Sequence, residues 1–264
     1  MWYNAAMRKI LLSTLLGTLL FAATPEQVEH YLSISGANEQ LVELEREFTK
    51  MQNSLNRIGG DTETPNYDMQ LLSIRFKEYL QKHLSEDEME QILKAYRNVL
   101  LLQFVSATTQ REEDKAQQGK YHEVLANDPE ADSRKALVEK ISDAIYDQES
   151  TAVMFDHLIK PLLTTAPGGN KLSDKMLQER RKAYIARMIE EARQEILYAT
   201  RNFDMEELES LEQIVKNPAI AKETKAVYEA TAYALEAFFL SLASRYDLSK
   251  HTPAPTKEDK RTLR

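Results

Sequence analysis

The chain has no cysteine. That absence excludes a disulfide scaffold, a thiol nucleophile and every cysteine-ligated metal site. Glycine and proline are scarce, seven and eight among 264 residues, where an all-β or α/β protein needs more for its turns and phosphate loops. Basic charge is in deficit, 34 Lys and Arg against 42 Asp and Glu for a net charge of −8. No basic stripe is available to displace counterions, so a nucleic-acid partner is excluded. What is present is 42% hydrophobic residues, enough to bury a core. At roughly 150 residues per domain the length suits one large domain or two small ones.

The first 23 residues contain no acid, and their charges are Arg8 and Lys9. An apolar run follows from Ile10 to Ala23, interrupted only by Ser13, Thr14, Gly17 and Thr18. A basic start, a short apolar stretch and small residues at its end predict a signal peptide over 1–23. The run is shorter than the ~20 residues of a spanning helix. Phe21 fits cleavage after Ala23 imperfectly, which leaves an uncleaved anchor as the alternative, and Met7 before the Arg-Lys pair is a second candidate start. Cleavage removes Arg8 and Lys9 but no acid, and so moves the net charge from −8 to −10. The expected location is periplasmic or secreted, with no stable membrane span after cleavage. An oxidising compartment also gives the missing cysteines a meaning.

Beyond residue 23 the apolar spacing is helical. Leu41, Leu44, Phe48, Met51, Leu55 and Ile58 recur at steps of three and four, an amphipathic seam. Gly36 suits the position that closes a first helix holding Val28, Tyr31 and Leu32. Leu71, Leu72, Phe76, Tyr79 and Leu80 mark a third helix. Ser85 with Glu88 is a capping box that opens a fourth, expected to run, kinked or not, through Phe104 into the charged stretch 111–120. Residues 127–133 read as the connection between halves. Pro161 should bend or end the element carrying Phe155, Leu158 and Leu162. Residues 166–170 read as a loop, followed by a helix of about 30 residues with Ile185, Ala192, Ile196 and Ala199 on one stripe. Asp204 with Glu207 is a second cap pair, Asn217-Pro218 a turn, and the segment from about Ala219 to Tyr246 a last helix that is apolar nearly all round.

No stretch alternates with period two. The fold class is therefore all-α, a multi-helix bundle. The organisation read from it is a signal peptide at 1–23, a helical unit at 24–128, a second at 129–246, and a charged, proline-containing tail at 247–264 expected to be disordered.

The two units are expected to be related. A shift of 119 residues lays Ser85-Glu86-Asp87-Glu88-Met89 on Asp204-Met205-Glu206-Glu207-Leu208, and pairs Ile92 with Leu211, Tyr96 with Val215, Arg97 with Lys216 and Asn98 with Asn217. Each unit alone is small to bury its own apolar face.

The stretch from Val28 to Ala37, with Leu32, Ser35, Gly36 and Ala37 at its turn, resembles the opening helix of an exported bacterial helical family, domain of unknown function number two-zero-five-nine. Ser85 to Asn98 resembles that family's capped acidic helix, and Asp204 to Pro218 resembles a second copy. Val99 and Leu100 replace the family's proline in the first copy, and Ile220 replaces its glycine in the second. The resemblance implies a signal peptide, an all-helical periplasmic or secreted domain and no known activity, and it supplies no catalytic residues.

Metal and catalytic motifs were sought in turn. Di-iron sites in helical bundles need Glu-x-x-His, but Gln27, Leu80, Gly119, Met154 and Leu248 stand three before the histidines. His122-Glu123 lacks the second histidine of a zinc motif, and His30, His83, His122 and His157 read as ordinary boundary residues. The glycines fit no nucleophile elbow, phosphate loop or dinucleotide fingerprint. Adjacent acids such as Glu190-Glu191 and Glu206-Glu207 point about 100° apart on a helix and read as solvated. No catalytic, cofactor-binding or metal residue is therefore named, and no cofactor is expected.

Two segments suit binding. The Leu41 to Ile58 seam resembles a short heptad, read as intramolecular because it lasts under three repeats. The last helix offers Tyr228, Tyr233, Leu235, Phe238, Phe239, Leu240 and Leu242, interrupted by Glu229 and Glu236, too many acids for a span. The expected function is a non-enzymatic binding or protein-interaction module of the envelope with a protein partner. The alternative is a carrier of an apolar small molecule or acyl chain held between the units and lined by the last helix's aromatic residues. A continuous apolar cavity would favour the carrier, and convergent buried acids an enzyme.

Overall fold

Thr24 opens the first helix of the described residues. Its hydroxyl accepts from the Gln27 N–H at 3.2 Å, and Gln27 Oε1 accepts in return from the Thr24 N–H at 3.0 Å. This capping box, with Pro25 in the first turn, starts α1 (Pro25–Ile34). The computed structural model describes residues 22–59, 67–109, 115–166 and 172–245. Most of the signal segment, the 167–170 part of the loop, and the tail lie outside them.

Gly36 stands at φ +68° after the Ser35 cap, the left-handed turn that only glycine makes without strain. It redirects the chain into α2 (Ala37–Gly59). Then follow α3 (Gln70–His83), α4 (Glu86–Ala95) and α5 (Val99–Thr109), with α6 (Lys115–Leu125), α7 (Ala131–Ile145) and α8 (Gln148–Met154) beyond them. A π-turn over Phe155–Ile159 leads into α9 (Lys160–Thr165), and α10 (Asp174–Ala199), α11 (Met205–Val215) and α12 (Pro218–Arg245) complete the bundle. The protein is an all-α multi-helix bundle. Among the described residues the β contact is an isolated antiparallel bridge between Ala22 and Ser85.

Several expectations need correction. The fourth helix itself stops at Ala95, and the Asn98 side chain accepts from the Leu100 N–H at 2.9 Å to restart the chain as a separate successor, α5, which carries Leu101 and Phe104 as far as Thr109. Pro161 does not end its element, which continues as α9 to Thr165. The turn before it widens instead, the Lys160 N–H reaching back five residues to the Phe155 carbonyl. That π-turn relieves the clash a proline ring makes with the carbonyl four residues earlier. A bidentate pair from Arg181 to Asp156, at 3.0 and 2.9 Å, ties the π-turn to α10. Leu71 is not on the buried stripe of α3 and stands 40% exposed, whereas Leu72, Phe76 and Leu80 carry it.

The α12 helix is the centre of the bundle, packing against α3, α4, α7, α8, the π-turn, α9 and α11. Ala226, Ala230, Ala232 and Ala234 are buried along it, small side chains that let neighbouring helices approach. Phe238 is fully buried, with Phe48 and Phe239 edge-on at 5.1 and 5.6 Å and Tyr67 at 5.9 Å. Truncating such an aromatic to alanine costs about 3–5 kcal/mol. The helix is not apolar all round, since Lys222, Lys225 and Glu236 are exposed. The α2 seam faces inward, as expected: Leu41 is buried and Leu44, Phe48 and Met51 pack on the core. Its Leu55 and Ile58 side chains lie outside the description.

The two capped helices match in local geometry. Ser85 and Asp204 each cap with a full box, at 3.2 and 2.8 Å to the third N–H. Met89 and Ile92 in α4, like Leu208 and Leu211 in α11, are fully buried. Asn217 then caps α12 as Asn98 caps α5, its Oδ1 accepting from the Ala219 N–H at 2.9 Å.

Candidate functional site

Where α1, α4 and α5 meet α11 and the first half of α12, the core is not filled. A cleft of about 290 Å³ remains. Tyr31 and Ser35 reach it from the end of α1, Leu101, Phe104 and Val105 from α5, and Ile145, Tyr146 and Met154 from the α7–α8 corner. Val215 and, from α12, Ile220, Glu223, Val227 and Tyr228 add to the wall, and Gln40, Thr108, Thr224 and Thr231 bring further polar groups to it. The lining is drawn from both halves of the chain.

The shift of 119 residues carries Tyr96, Leu101, Phe104, Val105 and Thr108 onto Val215, Ile220, Glu223, Thr224 and Val227. All ten line the cleft. Only Leu101 and Ile220 match in chemistry: the pairs Tyr96/Val215, Val105/Thr224 and Thr108/Val227 each exchange a hydroxyl-bearing side chain for an aliphatic one, and Phe104 corresponds to the acid Glu223.

Glu223 is the one carboxylate among the described lining residues. It is only 7% exposed. The Tyr31 hydroxyl donates to its Oε1 at 2.7 Å and the Tyr96 hydroxyl to the same oxygen at 2.5 Å. The two phenol rings meet edge-on at 6.0 Å. Oε2 is left by these two bonds for the cleft. Among the described residues no basic side chain pairs with Glu223: its neighbour Lys222 is engaged with Glu88 at 3.1 Å, and the other buried acid, Glu212, has Lys216 at 2.6 Å.

Burial disfavours the charged form of Glu223 and pushes its pKa up to about 7, against the pull of the bonds from Tyr96 and Tyr31, which favour the carboxylate. Burial, and then the nearby Glu223 charge, push the Tyr31 and Tyr96 hydroxyls well above the ordinary phenol range, so both remain donors. Burial also raises Tyr228, whose ring meets Tyr146 edge-on at 6.4 Å.

A single acid poised near neutrality can exchange a proton, but paired-acid chemistry needs a second carboxylate, and the described lining holds none. No group of three metal-ligating side chains occurs among the described residues. Nor, among them, is any helix long and apolar enough to cross a membrane.

The expectation that the last helix's aromatic residues line a ligand groove is corrected in part. Tyr228 does so. Tyr233 instead lies against Tyr79 at 5.5 Å with Arg75 over its ring at 5.4 Å, and Phe238 and Phe239 fill the core against Phe48. The groove uses the amino-terminal half of α12 because Gly36 turns α2 so that its seam covers the other half. Of the acids noted as interruptions, Glu229 accepts from the Tyr79 hydroxyl at 3.1 Å and Glu236 faces solvent.

Glu223 was not singled out by its sequence. Its signal was its place on the stripe Ile220, Glu223, Val227, Ala230, Ala234, where an acid interrupts a helical apolar face. Tyr31 and Tyr96 read as core residues, which they also are.

The described residues define an all-helical protein with a largely apolar cleft whose lining carries a lone acid. No family model, curated protein or solved structure matches the chain.

Proposed function

We propose that this chain is an exported, non-enzymatic binding protein of the bacterial envelope that holds a small, largely apolar molecule between its two helical halves. The observation that carries the reading is the cleft of about 290 Å³ lined from both halves. It lies at the lower end of the size of small-molecule sites, and its mostly apolar surface is dotted with phenol, hydroxyl and amide groups and one acid. A 150 Å³ apolar cavity holds one benzene, so this space suits roughly ten heavy atoms. Large exposed apolar side chains are spread over six helices, from Val42 on α2 to Leu240 on α12. That distribution is ordinary surface and favours a ligand over a docked protein partner.

Duplication of one helical unit accounts for the cleft. Supporting it are the paired capping boxes, the paired asparagine caps and the ten lining residues related by one register shift. The cavity then sits where two copies of the same face meet. Export is supported by the basic start and apolar run before Ala23, and by the likeness of two short stretches to domain of unknown function number two-zero-five-nine. Cleavage after Ala23 sacrifices the Ala23 N–H bond to the Leu84 carbonyl at 2.8 Å but keeps Thr24, whose side chain caps α1.

The test is a methyl-resolved NMR titration with n-octanol. Saturable shifts are expected at Leu101, Val105, Val215, Ile220 and Val227, with Leu32, Leu72 and Leu80 unmoved. Shifts that never saturate, or that spread evenly over all methyls, would contradict a defined cavity.

A further inference from the structure

The cleft's polar chemistry is one-sided. A carboxylate in an apolar enclosure is costly unless a positive group pairs with it, and the described lining supplies no lysine, arginine or histidine. The two hydroxyl donors both engage Oε1, so the second oxygen still lacks a donor. At the register-equivalent position in the other half of the chain stands Phe104, a buried hydrocarbon group that also lines the cleft.

The geometry points to a ligand with one protonated amine and an apolar body, its ammonium seated on Glu223 Oε2 and its hydrocarbon part extending towards Phe104. This rests on the reading of the cleft as a ligand site. An ammonium has three donors and a single positive charge. It satisfies the free oxygen and neutralises the carboxylate without disturbing the two tyrosines. A hydroxyl supplies one donor and no charge, and a carboxylate ligand repels. A diamine fails for a separate reason, since its second ammonium would be stripped of water beside Phe104. An acid on α12 and the hydrocarbon of Phe104 in the same lining are what let the site distinguish a head from a tail.

Ligand release is coupled to protons. When Glu223 gains a proton the ammonium loses its partner charge, and affinity falls. The titratable groups of the described lining around it are Tyr31, Tyr96, Tyr146 and Tyr228, all phenols, and the adjacent Lys222 is paired with Glu88 outside the cleft.

The experiment is isothermal titration calorimetry on the full mature chain with n-octylamine, n-octanol, octanoate and 1,8-diaminooctane, at pH 8 and pH 5, for the native protein and for Glu223→Gln. Octylamine is expected to bind at least tenfold more tightly than octanol or the diamine at pH 8, and octanoate not to bind. Glu223→Gln should bring octylamine down to the affinity of octanol, and pH 5 should do the same in the native protein. Octanol or diamine matching octylamine in the native protein overturns the amine assignment while leaving the cavity reading intact. So does a preference that survives Glu223→Gln. If none of the four compounds binds, the cavity reading fails with it. The native-protein comparison stands without any variant, and a thermal melt of Glu223→Gln checks that the substituted chain is folded.

Discussion

The Tyr31 hydroxyl donates to Glu223 at 2.7 Å across 192 positions of sequence. It joins α1 to α12 and places the phenol against an acid that burial holds partly protonated at neutral pH. Because Tyr96 donates to the same oxygen, three helices converge on one atom.

That convergence has a signature in stability against pH. The folded pKa of Glu223, about 7, lies above the ordinary 4.5, so between those values the folded state binds more protons than the unfolded state. Stability is therefore highest at the acid end of the window and falls as pH rises through it, by up to about 3 kcal/mol. Urea unfolding at pH 5 and pH 8 should show this decline in the native protein. Glu223→Gln should lack it and be the more stable of the two at pH 8. Parallel pH profiles would mean that Glu223 ionises normally.

The two tyrosines should be coupled. At pH 8 each of Tyr31→Phe and Tyr96→Phe removes a bond to a charged group, worth about 1.5–3 kcal/mol. Because both bonds end on Oε1, the double variant should depart from the sum of the singles by at least about 0.5 kcal/mol. At pH 5, with the acid protonated, all three losses should shrink. Strict additivity at both pH values would show that the hydroxyls do not share the carboxylate.

Gly36→Ala tests the turn that sets α2 across the core. The residue sits at φ +68°, and an added Cβ would come 3.1 Å from Thr109 Cγ2. A left-handed alanine alone costs about 1–2 kcal/mol. A thermal melt should show at least that loss, whereas Gly119→Ala, where a Cβ meets nothing within 4 Å in the middle of α6, should be neutral or stabilising.

Ser85→Ala and Asp204→Ala test the paired caps. Each removes a side-chain acceptor from a box whose partner glutamate stays behind, and each should cost about 1 kcal/mol by chemical denaturation. A null effect at either position would remove one leg of the correspondence between the halves.

Much of the fold was legible in the chain because helices announce themselves locally. Gly36, the Ser85 and Asp204 boxes and Pro218 each set a boundary through chemistry within four residues. The break at Asn98 was hidden by the apolar run Val99 to Phe104, which continues the spacing of α4 across a stop. The π-turn before Pro161 was hidden because a proline's clash can be relieved by widening a helix as well as by ending it. The site was least legible. Tyr31, Tyr96 and Glu223 meet only through tertiary packing, and an acid on an apolar stripe reads as a surface residue until the facing helices are in place. Phe104 and Glu223 correspond under the 119-residue shift, and the cleft is where both are found lining one space.

Native mass spectrometry of the chain isolated from the envelope of its own host tests the central claim most directly. The account predicts a polypeptide beginning at Thr24 that carries a reproducible extra mass of one small molecule, lost on acidification. A bare polypeptide in every preparation, or one that still carries residues 10–23, would contradict the ligand-binding or the export half of the account respectively.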